Sequence, residues 1–214
     1  MPNSMGSSRS VRRILRGLAR RFGYVITSVH QDRKTKEALA DFDGMLDFLL
    51  AQTGVPLEAA QGQLKQDIAA LVCNGFKRDG YFVEIGAADP VNSSNTVMLE
   101  RHFSWDGICA EANPHFHDAL RTIRGCVVDP RCVWTTTGET LSFHFVSTLS
   151  TLSDFVNSDH HAEARADAEI GTVETVSLNE LLSTYGAPAH IDFLSIDTEG
   201  SEFAILEAFD FSTT

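Results

Sequence analysis

Three short apolar runs each end in an acid-bearing turn, and this repetition constrains the fold more than any other feature of the chain. Tyr81-Phe82-Val83-Glu84-Ile85 leads into Gly86-Ala87-Ala88-Asp89. Gly107-Ile108-Cys109-Ala110 leads into Glu111-Ala112-Asn113-Pro114. Ile191 to Ile196 leads into Asp197-Thr198-Glu199-Gly200-Ser201-Glu202. Runs this short and this apolar fit strands buried on both faces, the kind found in parallel sheets. Between them lie stretches with helical spacing: Ser94 to Phe103, Pro114 to Arg124 and Val176 to Tyr185, with Ser201 to Phe209 opening another. Strands alternating with helices predict βαβ units, hence an α/β fold with a parallel sheet and helices on both faces.

The rest of this region is less regular. Residues 125–134 predict a third strand, and the alternation Leu141-Ser-Phe-His-Phe-Val146 predicts an added antiparallel strand. The Ser/Thr/Asp/His/Ala-rich stretch 147–172 predicts a loop with some helix. Upstream, Leu39, Phe42, Met45, Leu46, Leu49 and Leu50 repeat at helical spacing until Gly54-Val55-Pro56, and a second helix is predicted over 57–73. The expected organisation is therefore a basic arm over 1–36, a helical preface over 37–76 and an α/β domain over 77–214.

Charge divides the chain in the same places. Residues 1–36 carry nine basic residues and one acid, Asp32, so the remainder holds eight basic against 28 acidic residues. A body this acidic repels phosphate backbones, and no nucleic-acid partner is expected. Within the arm, Val11, Ile14, Leu15, Leu18 and Phe22 alternate with arginines as a basic amphipathic helix. Such a helix packs on its own domain or a partner subunit, lies on a membrane surface, or serves as a mitochondrial-type presequence. No run approaches the roughly 20 apolar residues of a membrane span, and no apolar signal region follows the first arginines. Four cysteines without a CxxC pair suggest buried thiols in a reducing compartment. The expected location is cytoplasmic, with membrane association through the basic helix as an option.

In an open parallel sheet, ligands bind outside the carboxyl ends of the strands. An acid at the end of the second strand grips the ribose diol of an adenosine cofactor, and Glu111 follows Glu84 at about the right interval. That position serves nicotinamide and S-adenosylmethionine sites alike. A dinucleotide turn, however, needs glycine at 86, 88 and 91, where this chain has Gly86, Ala88 and Val91. A pyrophosphate would lack its glycine turn, whereas S-adenosylmethionine has no phosphates to seat. For Glu84 the plain alternative is a strand-end carboxylate bonded to nearby N–H groups. For Glu202 it is an acid favoured by the start of a helix.

The blocks Gly80-Tyr-Phe-Val-Glu-Ile-Gly-Ala-Ala-Asp-Pro90, Ser94-Asn95-Thr96 and Trp105-Asp-Gly-Ile-Cys-Ala-Glu-Ala-Asn-Pro114 resemble the FkbM family of S-adenosylmethionine-dependent methyltransferases. Val173 to Leu182 and Ile191 to Glu202 are similar to its later blocks. The resemblance runs over about residues 80–211. It implies a Rossmann-like class I methyltransferase sheet and methyl transfer, usually to a hydroxyl oxygen, here of a glycan or small metabolite. It also implies that Glu84, Gly86 and Ala87 form the cofactor turn, that Glu111 holds the ribose, and that Asp197 lies beside the methionine end or the acceptor. Ala88 and Pro90 depart from the family's frequent Asn and Gly. The sequence stops after the helix following the fourth core strand, where such a fold has seven strands, so the expectation is a sheet truncated at its C-terminus.

An alcohol acceptor needs a base as its proton leaves. Asp197 is the first candidate, and His160 or His161 the second if the loop 147–172 folds over the site. No metal is expected. His115 and His117 point to different helical faces, and Asp197 with Glu199 as a Mg²⁺ pair is a minority reading. The competing classes are a non-catalytic binding or assembly module and a nicotinamide oxidoreductase.

Overall fold

The computed structural model describes residue 42 and residues 44–158 and 161–212. The chain divides into two compact units, Met1–Leu49 and Leu50–Thr214. In the first, residues 44–49 are helical. The basic amphipathic helix expected from Val11 onward lies outside the described residues.

The second unit is built on two four-stranded sheets. In chain order the strands are β1 (Tyr81–Ile85), β2 (Asp106–Ala110), β3 (Val127–Asp129), β4 (Cys132–Trp134), β5 (Thr140–Phe145), β6 (Thr151–Leu152), β7 (Glu169–Ser177) and β8 (Phe193–Ile196). The helices are α1 (Gln66–Cys73), α2 (Val97–Phe103), α3 (His117–Ile123), α4 (Leu178–Thr184) and α5 (Glu202–Ala208). One sheet is parallel throughout, in the order β3-β2-β1-β8. The predicted parallel α/β arrangement is present in that sheet.

The other sheet runs β4-β7-β5-β6 and is mixed: β4 lies parallel to β7, while β5 is antiparallel to both β7 and β6. The alternation over 141–146 places its antiparallel strand β5, but periodicity does not resolve β4 or β7. The stretch 125–134 is two strands in different sheets rather than one, because Pro130 has no N–H to continue a ladder and separates β3 from β4. The longest strand, β7, occupies residues expected to be loop and helix. Its Thr172, Val173, Thr175 and Val176 are β-branched, and six of its residues pair with β5 from Thr140↔Glu174 to Phe145↔Glu169. Helix α4 begins only where the Ser177 side chain accepts from the Glu180 N–H at 3.2 Å.

Two more predicted helices are shorter than expected. Of 57–73, only Gln66–Cys73 is α-helical, after a single 3₁₀ turn at Leu57–Ala59. The buried Asp67 carboxylate accepts from the Gly62 N–H at 3.1 Å, and Lys65 is left-handed, so the chain turns before the helix starts. Of 94–103, the helix is Val97–Phe103, because Ser94, Asn95 and Thr96 bond outward to Glu84.

Alternation along the strands gives the parallel sheet two different faces. Val83, Ile85, Ile108 and Ala110 share one apolar cluster with Leu178, Leu181 and Leu182 of α4 and Ile205 of α5. Val133 and Val176 join that cluster, tying β4 and β7 to the first sheet. The opposite face carries Phe82, Glu84, Cys109 and Ser195. There Arg124 lies over the Phe82 ring, 5.6 Å from its centroid. Cys109 and Cys132 are buried as expected of structural thiols, but Cys73 on α1 is exposed. Among the described residues, no helix is long and apolar enough to cross a membrane.

Candidate functional site

The carboxyl ends of β1, β2 and β8 are stitched together by backbone. Gly86 and Ala87 donate to the Ala110 carbonyl at 2.9 and 3.3 Å, and Asp197 donates to that of Ile85 at 2.9 Å. Gly86 has φ +79°, and a Cβ there would stand 1.9 Å from the Asp197 carbonyl oxygen. Only glycine permits both the dihedral and that approach.

Glu111, at the exit of β2, is buried, and its two carboxylate oxygens face different loops. Oε2 accepts from the Ala88 N–H at 2.7 Å and Oε1 from the Asn113 N–H at 2.6 Å. Burial pushes its carboxyl up to about 6, against the opposing pull of these two N–H groups. The Asn113 side chain in turn donates to Ser150 Oγ at 3.0 Å, linking this turn to the segment after β5. Ala88 holds φ +45° at this junction, and Pro90 is buried and lines neither pocket described below.

Glu84 is the hub of a buried network. Its carboxylate accepts from the Asn95 N–H at 2.7 Å, Thr96 Oγ1 at 2.6 Å, Ser94 Oγ at 3.2 Å and Arg124 Nη1 at 3.3 Å. The Arg124 side chain, fully buried, also binds Glu100 at 2.7 Å. Glu84 thus moors the turn before α2 while facing the second of two pockets. Sequence reasoning missed Arg124, which stands 40 residues from Glu84 and belongs to no recognisable spacing.

The β8 exit carries four residues with separate tasks. Glu202 takes the N–H groups of Thr198 and Gly200 at 2.9 and 3.1 Å, closing the start of α5. Glu199, at φ +59°, pairs with Arg165 at 2.9 Å. Gly200 sits at φ +133°, with Ser158 so close that a Cβ would meet its Oγ at 2.4 Å. Asp197 makes no side-chain hydrogen bond among the described residues. Partial burial raises its pKa, helped by the charges of Glu202 and Glu84.

Two pockets meet at this exit. The first spans about 490 Å³, its open mouth included, and is lined by Gly86, Glu111, Arg131, Phe143, Thr148 and Asp197 among others. The second spans about 780 Å³ on the same measure, and Glu84, Ala87, Asn95, His161, Asp197 and Glu199 are among its walls. Gly86, Ala88, Thr148 and Asp197 belong to both. The structure therefore brings together Glu84, Gly86, Ala87, Glu111, Asp197 and His161, while His160 lies outside the described residues. No group of three or more His, Cys, Asp or Glu among the described residues could hold a metal ion.

Compared with known families, residues 84–214 match the model of the methyltransferase FkbM domain. No curated protein and no solved structure matches the chain at a significant level.

Proposed function

The chain belongs to the FkbM methyltransferase family, and on that premise we propose that it is an S-adenosylmethionine-dependent O-methyltransferase acting on a hydroxyl of a glycan or small metabolite. The observation that carries this reading is the junction of two pockets at the strand ends, with Glu111 on one side and the Asp197 carboxylate on both. In this reading the β3-β2-β1-β8 sheet is the core of a Rossmann-like class I domain.

The residues fit the cofactor. Each Glu111 oxygen accepts one backbone N–H and retains a further lone pair, so a ribose diol can be gripped by a carboxylate already fixed in place. The turn carries Ala88 and Val91 where a dinucleotide turn has glycine, and the Ala88 N–H is committed to Glu111. This argues against a dinucleotide. S-adenosylmethionine, when bound, supplies an electrophilic methyl carbon for in-line displacement. The chain's own work is to align the acceptor, exclude water and take up the hydroxyl proton. Asp197 suits the last task because its carboxylate makes no hydrogen bond among the described residues and its proton affinity is raised. His161, on the wall of the second pocket, is the alternative proton acceptor.

Calorimetric titration with S-adenosylmethionine, S-adenosylhomocysteine and NAD tests the proposal. Binding of the first two and not the third is expected. Glu111→Ala should weaken S-adenosylhomocysteine by about tenfold or more, the value of hydrogen bonds to a charged group. Unchanged affinity in that variant would remove the ribose assignment. Absence of any binding by the unaltered chain would leave the non-catalytic module as the better account.

A further inference from the structure

We propose that Arg165 and Glu199 form a clasp that fixes the segment 147–156 over the cofactor cleft, making Arg165 a positioning residue for methyl transfer. The proposal rests on the reading that the cleft takes S-adenosylmethionine. Arg165 is a cation only 1% exposed, and burying such a group is costly unless its donors are satisfied. They are satisfied by widely separated partners: the Leu149 carbonyl at 2.7 Å, the Val156 carbonyl at 3.4 Å and Glu199 Oε2 at 2.9 Å. One guanidinium thus joins both ends of a chain segment to the turn that leaves β8. The planar fork of donors spans these acceptors, which among the described residues are three, and the compact ammonium of a lysine cannot reproduce that reach.

What the clasp holds is the wall of the site. Thr148 lines both pockets, Ser147, Ser150 and Leu152 line the first, and Leu149 lines the second. The same turn is fastened again by Thr151 Oγ1, which donates to the carbonyls of Thr198 and Glu199, and by Ser158 Oγ, which donates to that of Glu199. These bonds account for Glu199 persisting at φ +59° and for glycine at 200. Asp197 stands two residues before Glu199 on this turn, so the clasp fixes the wall and the proposed base together. Glu199 is then a structural anion facing an arginine.

The test compares the full chain with Arg165→Met, Arg165→Lys and Glu199→Gln. Amide exchange is followed by mass spectrometry, with and without S-adenosylhomocysteine, and affinity by calorimetry. Arg165→Met and Glu199→Gln should speed exchange over 147–156 by about tenfold or more while 81–85 and 106–110 keep their protection. Both should lose about tenfold in S-adenosylhomocysteine affinity, and Arg165→Lys should fall between them and the unaltered chain. Unchanged exchange over 147–156, or acceleration shared equally by β1 and β2, overturns the clasp. Faster exchange with unchanged affinity overturns the positioning role. If the unaltered chain does not bind S-adenosylhomocysteine, the functional reading fails, and the exchange arm still decides whether the clasp exists.

Discussion

Gly86 and Gly138 offer a matched pair of substitutions that isolates the contact at the heart of the site. Both have a left-handed backbone, at φ +79° and φ +85°. An alanine at either position bears the same dihedral cost of about 1–2 kcal/mol, partly offset by about 0.4–1 kcal/mol because alanine restricts the unfolded chain. Their surroundings differ completely. A Cβ at 138 meets nothing within 4 Å, whereas at 86 it meets the Asp197 carbonyl oxygen at 1.9 Å. Real Cβ atoms stay beyond about 3 Å of such an oxygen, so β1 and β8 must part at their exits by about 1 Å. Backbone cannot rotate aside as a side chain does, so the upper end of the overpacking range applies, about 3 kcal/mol. At about 2–4 °C per kcal/mol for a unit of this size, Gly86→Ala should lower Tm by about 10 °C and Gly138→Ala by about 2 °C, and by no more than about 6 °C. Thermal unfolding of the two variants, followed by circular dichroism, measures the difference. Equal falls in Tm would refute the close approach of the β1 and β8 exits.

Two further outcomes follow from the carboxylates. Burial holds the Glu111 carboxyl at about 6, above its ordinary 4.5, so the folded chain binds that proton more tightly than the unfolded one. Its contribution to stability is therefore full below pH 4.5 and lost as pH rises through 6, by about 2 kcal/mol. Denaturant unfolding across this window should show that contribution as the difference in slope between the unaltered chain and Glu111→Gln. Asp197→Asn should leave S-adenosylhomocysteine affinity almost unchanged and slow methyl transfer by about a hundredfold or more. The assay follows a labelled methyl group over a panel of sugar hydroxyl acceptors, and full activity in the variant would remove Asp197 as the base.

What could be read from residues alone was whatever depends on neighbours in the chain. The apolar runs ending at Ile85, Ala110 and Ile196 declare strands, buried in the first two and half-buried in the third, and the acids just beyond them declare where those strands exit. Capping chemistry was present but unread: Ser177 followed by Glu180 marks the start of α4, which helical spacing alone placed too early. β7 escaped because a strand that pairs with β5 is specified by that distant partner, and a mixture of Thr, Gly and Glu carries no local period.

The site divides along the same line. Glu84, Gly86, Glu111 and Asp197 stand at strand ends, so topology and sequence position suffice to gather them. Whether each carboxylate is free or engaged is decided by side chains arriving from elsewhere. Arg124 reaches Glu84 and Arg165 reaches Glu199, while the Asp197 carboxylate receives no such bond among the described residues. Sequence set the positions of the acids because strand ends are local events. Only the tertiary fold assigned their roles, because desolvation and hydrogen bonding depend on which distant groups share the same few ångströms.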